Sequence, residues 1–407
     1  MVSLILIILI ISTIGEILPI PFIEINQLFF ILFFPIMLYF KRKSFKYLKI
    51  NIILFIIITL SVYMLFQGLI LSVDFDSYLR FMKNYIIAFS FIILTLTLTP
   101  KEHYKILNLY THIASIIFVL EYILWKVRLF SIYLFIFNFP FSGIRNQAAF
   151  LSPNSYGIII SFLILSNLFL GIFKSKKYHC ILALILIFPL FTTASRSAIF
   201  ILLIGISIFG FLNSKLFGKV VIILSVLLIG YLLLSDNAFY ILNDYNHIFF
   251  VRRFLNYFDE RSLFGERTYE YIKIFEIYRD SWFTGLGFGN ITGNNVLYVG
   301  MSSVHNEYLR FLIEGGVVGG FLFGFLIFIL CFETYKLMRN TKLSKYFKNI
   351  IFTFFFMFLI AEMQYNFFNA HREGLILIFL GFSPMIYSKV LLLNVSIKKK
   401  IENRGIR

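Results

Sequence analysis

Apolar runs long enough to cross a membrane recur along this chain, and they decide what it can fold into before any motif is read. A helical crossing of the hydrocarbon core needs about 20 apolar residues. With 60% hydrophobic residues, 14% charged ones and a mean hydropathy of +0.88, the 407 residues carry more apolar surface than a soluble core could bury. The expectation is an all-α polytopic membrane protein, with one integral membrane domain over 1–407.

Hydropathy places about twelve spans, near 2–19, 24–40, 50–72, 84–99, 106–125, 153–173, 178–194, 197–213, 218–235, 306–332, 349–366 and 372–392. The fourth and eighth are short. The first run has no basic segment before it and no small-residue cleavage site, so it reads as an uncleaved anchor. Cys180 and Cys331 fall at span ends without metal-ligand spacing, so neither a disulfide nor a zinc site is expected.

A net charge of +17 would suggest nucleic acid in a soluble protein, but here its location explains it. Lys and Arg are retained on the cytoplasmic side during insertion. Alternate connections hold KRKSFKYLK, KEHYK, KSKK, KLFGK and KLMRNTKLSKYFK, and the tail ends in KKK and two arginines. Both termini are therefore expected in the cytoplasm, with no nucleic-acid partner. One large extracytoplasmic loop, 236–305, then separates spans nine and ten.

Within that loop, RTYEYIKIFEIYRD has helical period, with Tyr271, Ile274, Phe275 and Tyr278 on one face, and predicts a short amphipathic helix. Arg267 opens it, where a cation is disfavoured by about 0.3–1 kcal/mol unless an anion answers it. The plain alternative is a surface arginine paired with Glu266 or Glu270. TTASRSA puts Arg196 at an outer junction between spans, with Thr193 and Ser195 available to bond freed backbone groups. Arg196 is otherwise a residue snorkelling to the interface. In SGIRNQAAFLSPNSYG, Ser152 and Pro153 suit a helix start, and Arg145 has no local structural duty.

His305 stands at the lip of the tenth span, ahead of Glu307, Arg310 and Glu314, whose spacing lets them pair along one helix face. Taken alone, a helix-end histidine is more often a satisfied interfacial residue than a base. Behind it, glycines 315, 316, 319, 320 and 324 predict close approach of a neighbouring helix. Asp74 and Asp76 have the form of a short metal-binding motif, but no other acid or histidine joins them, so no metal site is expected. Asn369, His371, Arg372 and Glu373 read as a polar helix start.

Taken in order, R-x-x-x-x-F-x-S-P-N from Arg145, T-x-S-R from Thr193, G-L-G-F-G-N from Gly285 and H-N-E-Y-L followed by E-G-G resemble the O-antigen ligase and O-antigen polymerase superfamily. The resemblance covers roughly 140–330. It implies an inverting glycosyltransferase of the bacterial inner membrane that needs no metal or cofactor and takes a polyprenyl-pyrophosphate-linked oligosaccharide at the outer face. It also implies His305 as the catalytic base, with Arg196, Arg267 and, by a looser match, Arg145 on the pyrophosphate. A repeat-unit polymerase for O-antigen or capsule is favoured on the Phe- and Tyr-rich composition, and leaves room for a chain-length regulator as a protein partner. The alternatives are a ligase delivering the chain to lipid A core and a flippase of lipid-linked sugar. A flippase would call for polar residues near mid-membrane, whereas the charges here crowd the outer side.

Overall fold

A computed structural model describes residues 2–14, 25–45, 51–72, 75–96, 98, 100–127, 153–174, 177–215, 218, 276, 278–279, 281–290, 306–339, 345–364 and 374–382. Of these, 91% are helical and none is in a strand. Lipid offers no hydrogen bonds to the backbone, so segments that satisfy their own N–H and C=O groups are what an apolar chain of this kind can place there.

In chain order the helices are α1 (Val2–Ile14), α2 (Ile25–Phe45), α3 (Asn51–Leu71), α4 (Phe75–Leu96), α5 (Pro100–Lys126), α6 (Pro153–Lys174), α7 (Lys177–Ile185), α8 (Ile187–Thr192), α9 (Arg196–Asn213), α10 (Glu307–Arg339) and α11 (Lys345–Gln364), followed by a helical segment at 374–382. Among the described residues, six helices are long and apolar enough to cross a membrane: α3, α4, α5, α6, α10 and α11. Shorter apolar helices cover Val2–Ile14, Lys177–Thr192 and Ser197–Asn213. The chain is thus a multi-pass helical membrane protein. The ninth expected span lies outside the described residues apart from Gly218, as does nearly all of the 236–305 loop.

The fourth span is not short. Helix α4 begins at Phe75, nine residues before the hydropathy boundary, and so takes in Asp76, Arg80 and Lys83. Those polar residues lie beside Tyr78 and Phe81, which are buried. The Tyr78 ring sits against Gly68, and its hydroxyl donates to the Leu65 carbonyl at 2.8 Å. Alternation of this kind lowers average hydropathy without ending the helix. The seventh span is two helices, α7 and α8, broken at Leu186. Pro189, lacking an N–H, cannot donate to the carbonyl four residues back.

Helix α1 packs on α2 and α5, and α3 packs on α4 and α10. Helix α6 joins α7 and α9, and α11 lies between α9 and α10. Polar pairs fasten neighbours together: the Gln27 amide donates to Asn84 at 3.0 Å, and Thr13 meets the Tyr110 hydroxyl at 3.0 Å.

Contacts between helix ends sort the bundle into two ends. At one, Asn349 near the start of α11 donates to the Leu212 carbonyl and to Asn213 at the close of α9. At the same end His179 of α7 meets Asn108 of α5. The basic stretches about Lys105, Lys177, Lys215 and Lys345 fall there, in the alternation the sequence predicts. The opposite end gathers Leu71, Tyr156, Thr193, Asn290 and Asn306.

Gly157 marks a close helix approach at that second end. A Cβ built on it would lie 2.8 Å from the Ala198 Cβ and 2.9 Å from the Thr193 hydroxyl. Gly324, by contrast, has nothing within 4 Å. We expect Gly157→Val to push α6 from α9 and cost about 1–3 kcal/mol by overpacking, read as a lower Tm in detergent, while Gly324→Val leaves the Tm near that of the parent.

Candidate functional site

Helix α10 does not run straight through the membrane. It breaks at Gly316, whose φ of 64° and ψ of −167° lie outside the helical region. Only glycine takes that backbone conformation without strain. The break frees main-chain groups that no water in an apolar bundle can satisfy, and two other parts of the chain supply their partners. Leu286 N–H donates to the Ile313 carbonyl at 2.9 Å, Gly287 N–H to the Glu314 carbonyl at 3.0 Å, and Val317 N–H to the Trp282 carbonyl at 3.1 Å. The Gln67 amide of α3 donates to the Glu314 carbonyl at 2.6 Å, and the Tyr63 hydroxyl donates to the Gly315 carbonyl at 2.5 Å.

The partner segment is the G-L-G-F-G-N motif itself. Gly285, Gly287 and Gly289 all have positive φ, and this lets the loop lie flat against the break. A Cβ on Gly285 would overlap the backbone of Glu314 and Gly316. Gln67 also holds the loop directly, donating to the Thr284 carbonyl at 2.9 Å and accepting from Phe288 N–H at 3.0 Å. Asn290 closes the loop by donating to the Leu71 carbonyl at 2.9 Å.

The glycines of α10 do more than the close helix packing expected of them, which holds where Tyr63 of α3 meets Gly315 and Gly319. Gly316 is the break, Gly315 and Gly319 face the Phe288 ring, Gly320 meets Leu312 of its own helix, and Gly324 meets nothing. Alternating glycines in Gly285–Asn290 with an E-G-G downstream were the available signal for a loop lying on a helix break. Glycine spacing alone is the same for packing and for a break.

The first half of α10 carries a buried charged face. Asn306 caps it, its side chain accepting from Leu309 N–H at 3.2 Å. His305 is thus the residue just before the cap, and itself lies outside the described residues. Arg310 Nε donates to Glu314 Oε2 at 3.1 Å, the spacing-four half of the expected ladder. Glu307 turns elsewhere and accepts from the Tyr85 hydroxyl of α4. Arg310 also lies over the Phe81 ring, 4.6 Å from its centroid, a favourable placement for a desolvated cation. Phe81 in turn stacks on Phe288 of the loop at 5.3 Å. Sequence reading gave these three charged residues only a mutual pairing, because Tyr85, Phe81 and Gln67 stand more than two hundred positions away.

Arg196 opens α9 at the same end of the bundle as Asn306. Ser195 caps that helix, accepting from Ala198 N–H at 3.3 Å, and Thr193 Oγ1 accepts from Ser195 N–H at 3.1 Å. Both do the backbone work the sequence assigns them. Helix α6 starts at Pro153 as expected, and the Tyr156 hydroxyl donates to Glu121 near the end of α5.

Arg145, Arg267 and His305 lie outside the described residues, as do Asp74 and 365–373. Of the amphipathic helix, Glu276, Tyr278 and Arg279 are described and are helical. The Tyr278 hydroxyl donates to the Trp282 carbonyl at 2.9 Å, which links that segment to the loop.

Because Gln67 satisfies the loop and the break together, Gln67→Leu should strand at least one buried carbonyl, at about 1–3 kcal/mol. The expected outcome is a Tm in detergent clearly below that of the parent. A variant that melts like the parent would show that the side chain does not hold the two together.

No curated protein matches the chain significantly. Residues 181–324 match the family described as O-antigen ligase, a stretch that runs from α7 through the loop to the second half of α10. It contains Arg196, Arg267, G-L-G-F-G-N, His305 and the Gly316 break, and stops short of Arg145. The match supports placing the chain in the O-antigen ligase and O-antigen polymerase superfamily, the family its motifs resemble.

Proposed function

We propose that the chain is an inverting glycosyltransferase that joins polyprenyl-pyrophosphate-linked oligosaccharide repeat units into O-antigen or capsular polysaccharide at the outer face of a bacterial inner membrane. The observation that carries this reading is the O-antigen ligase match over 181–324. It spans two of the three candidate arginines and the histidine.

In the proposed step the acceptor hydroxyl oxygen attacks the anomeric carbon of the donor saccharide. The bond from that carbon to the pyrophosphate oxygen breaks, and its electron pair leaves with the lipid diphosphate. His305 takes the hydroxyl proton as general base. Negative charge grows on the departing diphosphate, and Arg196, Arg267 and Arg145 hold it by charge-assisted hydrogen bonds, with no metal required. Attack from the face opposite the leaving group in a single step inverts the anomeric centre.

The description of the matched family favours a second reading, transfer of a finished chain to lipid A core. Electrophoresis of surface saccharides separates the two. Deleting a polymerase leaves single repeats, whereas deleting a ligase leaves long chains on the carrier lipid and none on the core.

For the proposed roles, His305→Ala and Arg267→Ala should lower the rate at which the purified protein joins lipid-linked units by about a hundredfold or more. Both variants should still insert and melt as the parent does. Full-length polymer from either variant would remove that residue from the mechanism.

A further inference from the structure

Glu307 and Arg310 are buried more completely than their hydrogen bonding justifies. Glu307 is 0% exposed and Arg310 1% exposed. The guanidinium has five N–H donors, of which Nε is committed to Glu314. Its two terminal nitrogens have no hydrogen-bond partner among the described residues, and neither does Glu307 Oε2. A buried charged group with part of its hydrogen-bonding capacity unused is a costly arrangement.

Placement makes the two unused edges complementary. Residues three apart share a helix face, which brings an acceptor oxygen and a fan of donors to one side of the first turn of α10, just below the Asn306 cap. Each group is held from its other side. Tyr85 occupies Glu307 Oε1, Glu314 holds Arg310 Nε, and Phe81 backs the guanidinium. The Phe311 ring stands edge-on to Tyr85 at 5.3 Å, so the surroundings are aromatic.

The chemistry of the two edges selects among ligands. A phosphate would suit Arg310 but meet the carboxyl groups of both Glu307 and Glu314 beside it. A hydroxyl suits both edges, since it donates its hydrogen to the carboxylate oxygen and accepts from the guanidinium. Aromatic rings around such a pair offer apolar faces to the C–H side of a sugar.

We propose that Glu307 and Arg310 form a saccharide-binding subsite, gripping a hydroxyl of the lipid-linked sugar at the first turn of α10. This subsite is distinct from the arginines assigned to the pyrophosphate, and it rests on the glycosyltransferase reading above.

The test is binding without turnover, by native mass spectrometry of the full chain in detergent. Two probes are compared: polyprenyl pyrophosphate carrying one neutral hexose, and polyprenyl pyrophosphate with no sugar. The parent should prefer the sugar-bearing probe by about tenfold, the value of one good charge-assisted hydrogen bond. Glu307→Gln and Arg310→Gln should each erase most of that preference and leave the affinity for the sugar-free probe unchanged. Tyr85→Phe, which unpins Glu307 and keeps its charge, should fall between.

Three outcomes overturn the subsite. The parent shows no preference for the hexose, or the Glu307 and Arg310 variants keep it, or they lose both probes alike. Variants that bind both probes as the parent does but melt lower would mean that the two edges hold a bound water only. A parent that joins lipid-linked units yet shows no preference sinks the subsite and leaves the polymerase reading intact. Discrimination of the probes by a protein that joins nothing sinks that reading instead.

Discussion

A broken helix inside a membrane needs donors for the carbonyls it frees, and the structure around α10 follows from that need. Ile313, Glu314 and Gly315 each present a carbonyl where lipid and apolar side chains offer nothing. The partners come from α3 and from the 281–290 segment. Because one glutamine serves both the break and the loop, neither can shift without exposing the other's polar groups. The first half of α10, up to its Asn306 cap, is thereby fixed to α3 and to the loop.

The same region holds a buried acid–base cluster, Glu307, Arg310 and Glu314. Elsewhere some buried polar groups form closed pairs. His179 has an amide oxygen within 2.7 Å of Nδ1 and another within 3.2 Å of Nε2, and Asn167 spends its amide on Ser115 and the Leu163 carbonyl. These fasten α5, α6 and α7 and leave little over. At Glu307 and Arg310 the pairing is partial, and aromatic rings stand where further partners would be. A network kept only to hold helices together gains nothing by leaving donors unused, and here an acid and a cation three residues apart on one helix each keep an unused edge.

Much of the architecture was legible in the sequence because it depends on local chemistry. A Ser-Pro start gives α6, a serine cap gives α9, and basic connections mark one end of the bundle. What was not legible depends on partners distant in the chain. The Glu314 carbonyl meets a glutamine 247 positions earlier, and nothing near Glu307 announces Tyr85. Hydropathy also missed the start of α4, since averaging over a window cannot separate an amphipathic turn such as Phe75–Arg80 from a polar loop. Glycine repeats misled for a related reason. Their spacing records where Cβ atoms are absent, and only the tertiary setting tells whether backbone, an aromatic ring or a turn fills the space. For the candidate site, the residues came by resemblance, and the structure places the backbone of one of them, Arg196.

That one placement bears on the chemistry. Arg196 occupies the first position of α9, where unpaired N–H groups already concentrate partial positive charge and an added cation costs about 0.3–1 kcal/mol. Ser195 takes one of those N–H groups, yet a serine hydroxyl carries no charge to offset a guanidinium. Glu307, in the first turn of α10, is the opposite case, an acid where the helix favours one. An anion arriving at the start of α9 reverses the sign of that term, because the helix end itself attracts it. Under the proposed function, a diphosphate that gathers charge as its sugar departs would be such an anion, and would gain most from this helix end at the moment of transfer.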